Sequence, residues 1–180
     1  MPKNPTVVSL AILLAATIAL AGPLAHAADS SATGHAVVSA GDDVLRILSF
    51  SATGLGQGDA GATGYIEFHD PKPMEDQDVD GSGDPALASL PEGVRLSVEV
   101  DCLAVGGAQA VIGGQVTSAT ASRYVGMWIL LFVEAGEGAR TPAMLSWGFY
   151  PYEAEVDCGS FPFAAYEPVP IESGHLSVQQ

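Results

Sequence analysis

Asparagine is missing from the chain after Asn4. The mature part of the protein therefore has no N-glycosylation acceptor, and its turns must be built from Gly, Asp and Pro. Cations are scarce: Lys and Arg total 6 against 21 Asp and Glu, for a formal charge of -15 and a pI near 4.2. Neutralising a phosphate backbone takes Lys and Arg, so nucleic acid is excluded as a partner, and anionic lipid surfaces are repelled as well. Only two cysteines occur, without a C-x-x-C spacing, so a thiolate metal site or a dithiol redox centre is not supported. The chain has no G-x-S-x-G elbow, phosphate-binding loop, dinucleotide fingerprint or zincin helix. His35, His69 and His175 fall on three different expected strands, with no H-x-H or H-x-x-x-H spacing to make a local zinc site.

Long apolar runs are also absent, apart from the uncharged stretch of residues 7–21. Lys3 precedes it, Gly22-Pro23 ends it, and Ala25-His26-Ala27 forms a small-x-small cleavage signal. The stretch is shorter than the roughly 20 residues that span a bilayer, so it reads as a secretory signal peptide. Residues 1–27 are expected to be removed, leaving residues 28–180 as a single secreted β domain with no membrane insertion after cleavage. No Cys follows the cleavage point, which argues against a lipid anchor. Cleavage removes Lys3 and no acid, so the mature chain becomes more acidic, at -16. The expected location is secreted or extracytoplasmic, in the cell envelope.

Hydrophobic residues make up 48% of the chain and charged ones 15%, enough apolar content for one buried core in a domain of this length. No segment keeps a 3.6-residue apolar period. Extended runs separated by Gly, Pro, Asp and Ser predict an all-β fold with strands near 34–40, 44–53, 63–69, 94–104, 108–118, 125–134, 144–150 and 171–178. In the clearest, Val94, Leu96, Val98, Val100 and Cys102 alternate with Arg95, Ser97, Glu99 and Asp101. That register points Cys102 inward with the valines. Met127-Trp128-Ile129-Leu130-Leu131-Phe132-Val133 is apolar on both faces, as expected of a central strand or the wall of a filled barrel. Gly113-Gly114 interrupts another strand and suggests a bulge or bend. The expected architecture is one antiparallel β-sandwich or small barrel of about eight strands.

In an oxidising compartment Cys102 and Cys158 most simply form one disulfide. The loop it closes is worth about 4 kcal/mol in the chain-entropy model.

Two connections, residues 70–92 and 151–170, exceed the usual loop length and are where function is sought. The first contains Asp76-Gln77-Asp78-Val79-Asp80-Gly81-Ser82-Gly83-Asp84. Alternate acids on a loop that turns at Gly can aim several oxygens at one calcium ion, with Asp76, Asp78 and Asp80 as direct ligands and Asp84 acting through water. The place of the bidentate Glu of an EF-hand is taken by Leu87, and no helices flank the loop. The site is therefore not an EF-hand, and its affinity would be weak, roughly 0.1 to 1 mM. The plainer alternative is a solvated acidic loop. The second connection is rich in aromatics: Trp147, Phe149, Tyr150, Tyr152, Phe161, Phe163 and Tyr166. Trp147, Tyr150, Tyr152, Phe161 and Phe163 are the candidate ligand surface, since rigid aromatics bind with little entropy loss. The plainer alternative packs Trp147 and Phe149 in the core and the rest beside Cys158. Glu134 and Glu137 flank a Gly turn and make a weak carboxylate pair for hydrolysis.

The segments Val100-Asp101-Cys102-Leu103-Ala104-Val105, Ala110-Val111-Ile112-Gly113-Gly114-Gln115-Val116-Thr117, Glu134-Ala135-Gly136-Glu137-Gly138 and Ile171-Glu172-Ser173-Gly174-His175-Leu176-Ser177-Val178 resemble a family of uncharacterised exported bacterial proteins. Those proteins share a V-x-C-L strand, an I-G-G-x-V strand, a G-E-G turn and a late Cys. The resemblance implies export, β architecture and the Cys pair, and it implies no catalytic residue. It also implies that the acidic stretch from Glu75 to Asp84 is an insertion. The function expected is that of a secreted, non-enzymatic binding or envelope-associated protein, with Ca2+ at the acidic loop as its one candidate cofactor. The alternatives are a small β-barrel carrying an apolar ligand and, behind it, a hydrolase.

Overall fold

The structure is a computed structural model that describes residues 29–54, 59–72, 92–136, 141–161 and 167–180. Alternation of buried and exposed side chains, punctuated by Gly and Asp turns, yields nine strands among these residues: β1 (Ser30–Ser39), β2 (Leu45–Gly54), β3 (Asp59–Ala60), β4 (Thr63–Asp70), β5 (Val94–Gly106), β6 (Gln109–Ala119), β7 (Trp128–Glu134), β8 (Met144–Tyr150) and β9 (Val169–Gln179). All eight expected strands are present. The two-residue β3 is added, lying antiparallel beside Leu103 and Cys102 of β5.

Leaving β3 aside, each strand pairs antiparallel with the next in the chain, and β9 returns to pair with β1. The result is a closed eight-stranded, up-and-down antiparallel barrel. A sandwich, the other expected arrangement, is excluded by that closure. Closure removes the free edges that an open sheet would expose to other chains. No α-helix occurs among the described residues, and none there is long and apolar enough to cross a membrane.

Inward-facing residues form the main core: Ala32, Ala36 and Val38 from β1, Leu48, Phe50 and Ala52 from β2, Ile66 and Phe68 from β4, and Ile129, Leu131 and Val133 from β7. A second apolar cluster lies on the outer surface, where Val111, Leu130 and Phe132 are covered by Val156, Cys158 and Phe161 of the segment after β8. This explains why β7 is apolar on both faces. One face lines the barrel and the other lies beneath a strap.

The strap is fastened by the Cys102–Cys158 disulfide, whose Cα atoms are 5.8 Å apart. Asp157 builds the short 3-10 turn that presents Cys158: its carboxylate accepts from the Gly159 N–H at 2.9 Å and from the Ser160 hydroxyl at 2.5 Å. Those two donors hold the Asp157 carboxyl below its ordinary pKa, the Ser160 bond being the larger cause.

Here the register expected from sequence is corrected. Val100 pairs with Gly114 and Cys102 with Gly113, so Asp101 is an extra residue, a β-bulge. The bulge reverses the facing of β5. Before it Val94, Leu96, Val98 and Val100 point into the barrel; after it Leu103 and Val105 do, and Cys102 points outward into the strap cluster. The glycine pair lies opposite the bulge rather than in it. A Cβ on Gly114 would strike the Glu99 carbonyl, and one on Gly113 would lie 2.6 Å from Cys102 Sγ and 3.0 Å from Cys158 Sγ. Two glycines in β6 thus admit the bent strand on one face and the disulfide on the other. Burial at the bulge raises the Asp101 carboxyl pKa, with Glu99 nearby adding to it.

Candidate functional site

β2 carries an arginine at a position whose neighbours in phase, Leu48, Phe50 and Ala52, all point into the barrel. Arg46 precedes them in the same phase and is 1% exposed, a placement that a guanidinium tolerates only when paired. Its Nε donates to Asp70 Oδ2 at 2.9 Å, at the end of β4. Its two Nη groups donate to both oxygens of Asp42, in the β1–β2 turn, at 3.0 and 2.7 Å, and Nη1 also reaches the Val44 carbonyl. The hydrogen bond from Arg46 holds the Asp42 carboxyl at about 2, below its ordinary value of 3.8. Reciprocally, the bond to Asp42 raises the Arg46 pKa, so the cation is permanent.

Beneath this ion cluster lie four aromatic rings. Arg46 sits over the Trp147 ring at 5.8 Å. Trp147 and Phe149 point inward from β8 and meet Phe68 at 5.4 and 6.1 Å; Phe149 also meets Tyr124, on the turn between β6 and β7, at 5.4 Å. The paired charges sit at this mouth of the barrel, and the rings pack against one another in the core beneath them.

β8, which carries two of those rings, borders β9. β7 pairs with β8 at seven positions, whereas β8 and β9 pair, among the described residues, only at Met144–Pro170 and Leu145–Val169. Inward-facing side chains along this seam are half-buried: Trp147 and Phe149 on β8, Ile171, Leu176 and Val178 on β9. Their counterparts on β2, β4 and β7 are buried.

The aromatic segment is thereby divided between the two surfaces of the wall. Trp147 faces the interior; Tyr150 and Phe161, 5.7 Å apart, belong to the outer cluster with Cys158; Tyr152 is exposed. Phe163 and Tyr166 lie outside the described residues, as do residues 1–28, the acidic loop with Asp76, Asp78, Asp80 and Asp84, and Glu137. The strands that flank that loop are paired with each other. Asp70 pairs with Val94, and His69 Nε2 lies 3.2 Å from the Glu92 carbonyl, so the chain leaves and re-enters the barrel at one place. Glu134 is held by Gln109 Nε2 at 3.0 Å.

Among the described residues no group of three or more His, Cys, Asp or Glu side chains is placed to hold a metal. The three histidines do lie on one outer surface, on β1, β4 and β9. A shallow groove of about 180 Å³ there is lined by Ile47, Ser49, Glu67, Phe68, His69 and Arg95.

Sequence reasoning missed the Arg46 cluster. The available signal was its phase: an arginine in step with Leu48, Phe50 and Ala52 has to find carboxylates.

Fold and site together define an eight-stranded up-and-down barrel, a class whose interior is wide enough to be filled by side chains or to hold one small ligand. No protein-family model matches the chain, and no curated protein or solved structure does.

Proposed function

We propose that the protein is exported and acts as a non-enzymatic binding barrel that takes a small apolar molecule between β8 and β9. The observation that carries this reading is the set of half-buried, inward-facing apolar side chains on the two strands, Trp147 and Phe149 on β8 and Ile171, Leu176 and Val178 on β9. Apolar surface left accessible inside a barrel gains free energy when a ligand covers it, by about 25 cal/mol per Å². Arg46 and its two carboxylates close the adjacent mouth, so entry is assigned to the seam rather than to that end. A disulfide in the strap and the leader-like N-terminus support an oxidising, extracytoplasmic setting.

The reading keeps the acidic loop as a weak calcium site. Its feet are already joined by the β4–β5 pairing, so an ion can bind the loop without disturbing the barrel. It also keeps the resemblance to exported bacterial proteins, whose motif segments fall on β5, on β6, after β7 and on β9.

Native mass spectrometry of the purified protein, before and after organic extraction, tests the ligand. The expected spectrum shows an adduct that extraction removes, or one that reappears on adding a medium-chain fatty acid. A spectrum of bare chain under both conditions, with no binding of the fatty acid, would overturn the reading.

A further inference from the structure

The register of the closing strands brings together two histidines that lie 140 positions apart in sequence, His35 and His175. They are direct cross-strand partners on β1 and β9, both exposed. Their facing follows from their neighbours: Ala36 and Leu176, each one residue along, point into the barrel, so both imidazoles point outward. Directly opposed residues of an antiparallel pair hold their Cβ atoms about 4.5–5.5 Å apart. Gly174, beside His175, tightens the approach. A Cβ there would strike the His35 carbonyl, so only glycine lets β9 lie this close to β1 at the histidine pair.

His35 is also oriented. Its Nδ1 lies 2.8 Å from Ser49 Oγ on β2, the next strand round the barrel. A ligating histidine characteristically uses its second ring nitrogen in this manner, donating to an oxygen that fixes the ring and the tautomer. With Nδ1–H donated to Ser49, the lone pair of the His35 ring is on Nε2.

We propose that His35 and His175 form a two-imidazole site for a divalent transition cation of the zinc, nickel and copper group, in which both Nε2 atoms ligate and solvent completes the coordination. Imidazole suits these metals, at Zn–N distances of about 2.0–2.1 Å, and does not suit calcium. Bound there, the cation clamps β9 to β1, the pairing that closes the barrel. The site is independent of the apolar interior and of the acidic loop, since its ligands face outward on other strands.

The experiment uses the untagged protein, produced from its full-length sequence, titrated with zinc or nickel chloride after treatment with chelator. A ligand that binds only the folded state raises the thermal midpoint, here by roughly 5–10 °C at a hundredfold excess over Kd. Three variants accompany it. His35→Gln and His175→Gln should each abolish the rise while leaving the metal-free midpoint within about 2 °C of the parent, because both side chains are exposed. His69→Gln, on the same outer surface but not opposite either residue, should retain it. A parent that shows no rise, a rise that survives in His35→Gln and His175→Gln, or its loss in His69→Gln would each overturn the proposal.

Discussion

Alanine at position 113 tests the strap directly. A Cβ at Gly113 would lie 2.6 Å from Cys102 Sγ, 2.9 Å from Leu130 Cδ2 and 3.0 Å from Cys158 Sγ. The leucine methyl can swing aside, but the two sulfurs are tied to each other and to two backbones. Overpacking of this kind costs about 1–3 kcal/mol, or roughly 3–10 °C of midpoint for a domain of this size. The same change in a Cys102→Ala, Cys158→Ala background should cost under about 0.5 kcal/mol, because both sulfurs are gone. Urea unfolding of the four proteins gives the coupling, expected at about 1–2 kcal/mol. The disulfide-free parent should itself lose about 4 kcal/mol. An equal cost of Gly113→Ala in both backgrounds would refute the placement of the disulfide against the outer face of β6.

The other predictions concern the ion cluster, the loop and acid. Asp70→Ala leaves the Arg46 Nε–H buried without its acceptor while Asp42 still holds the rest of the guanidinium, so it should cost about 3 kcal/mol, the low end for a buried pair broken from one side, read by urea unfolding. Asp42 has a depressed folded pKa, so its contribution is complete above about pH 4, the range of a free carboxylate, and disappears as pH falls through about 2. Stability measured from pH 5 to 2 should decline over that window in the parent and less steeply in Asp42→Asn; equal slopes would contradict it. Calcium at ten times Kd should raise the midpoint by roughly 3–6 °C over chelator, and Asp78→Ala with Asp80→Ala should remove the rise. No difference between calcium and chelator would leave the loop as solvated acid.

The strands were legible in sequence because their information is local. Alternation such as Leu48-Ser49-Phe50-Ser51-Ala52 states both the strand and its facing, and the doubly apolar Ile129–Val133 run announced a wall covered on both sides. Closure was not legible, because the β1–β9 pairing that completes the barrel joins residues far apart in the chain. Cys102 was misplaced for a subtler reason. The alternation runs smoothly from Val94 through Cys102, and the bulge at Asp101 shows only afterwards, where Leu103 and Val105 take over the inward phase. The double glycine across the ladder is its other trace. Arg46 was overlooked because its partners, Asp42 and Asp70, come from a turn and from the far end of another strand. The histidine pair is similar: no local spacing joins His35 to His175, and only the strand register does.

The most direct test of a binding barrel is the emission of Trp147. Trp128, whose neighbours in phase Leu130 and Phe132 face outward, can be replaced by Phe, leaving Trp147 as the sole tryptophan, inside the barrel beside the seam. Titration of that protein with a brominated fatty acid should quench the emission saturably, and Phe149→Asp should abolish the quenching. Emission that stays constant to the solubility limit of the acid would contradict an apolar site at Trp147.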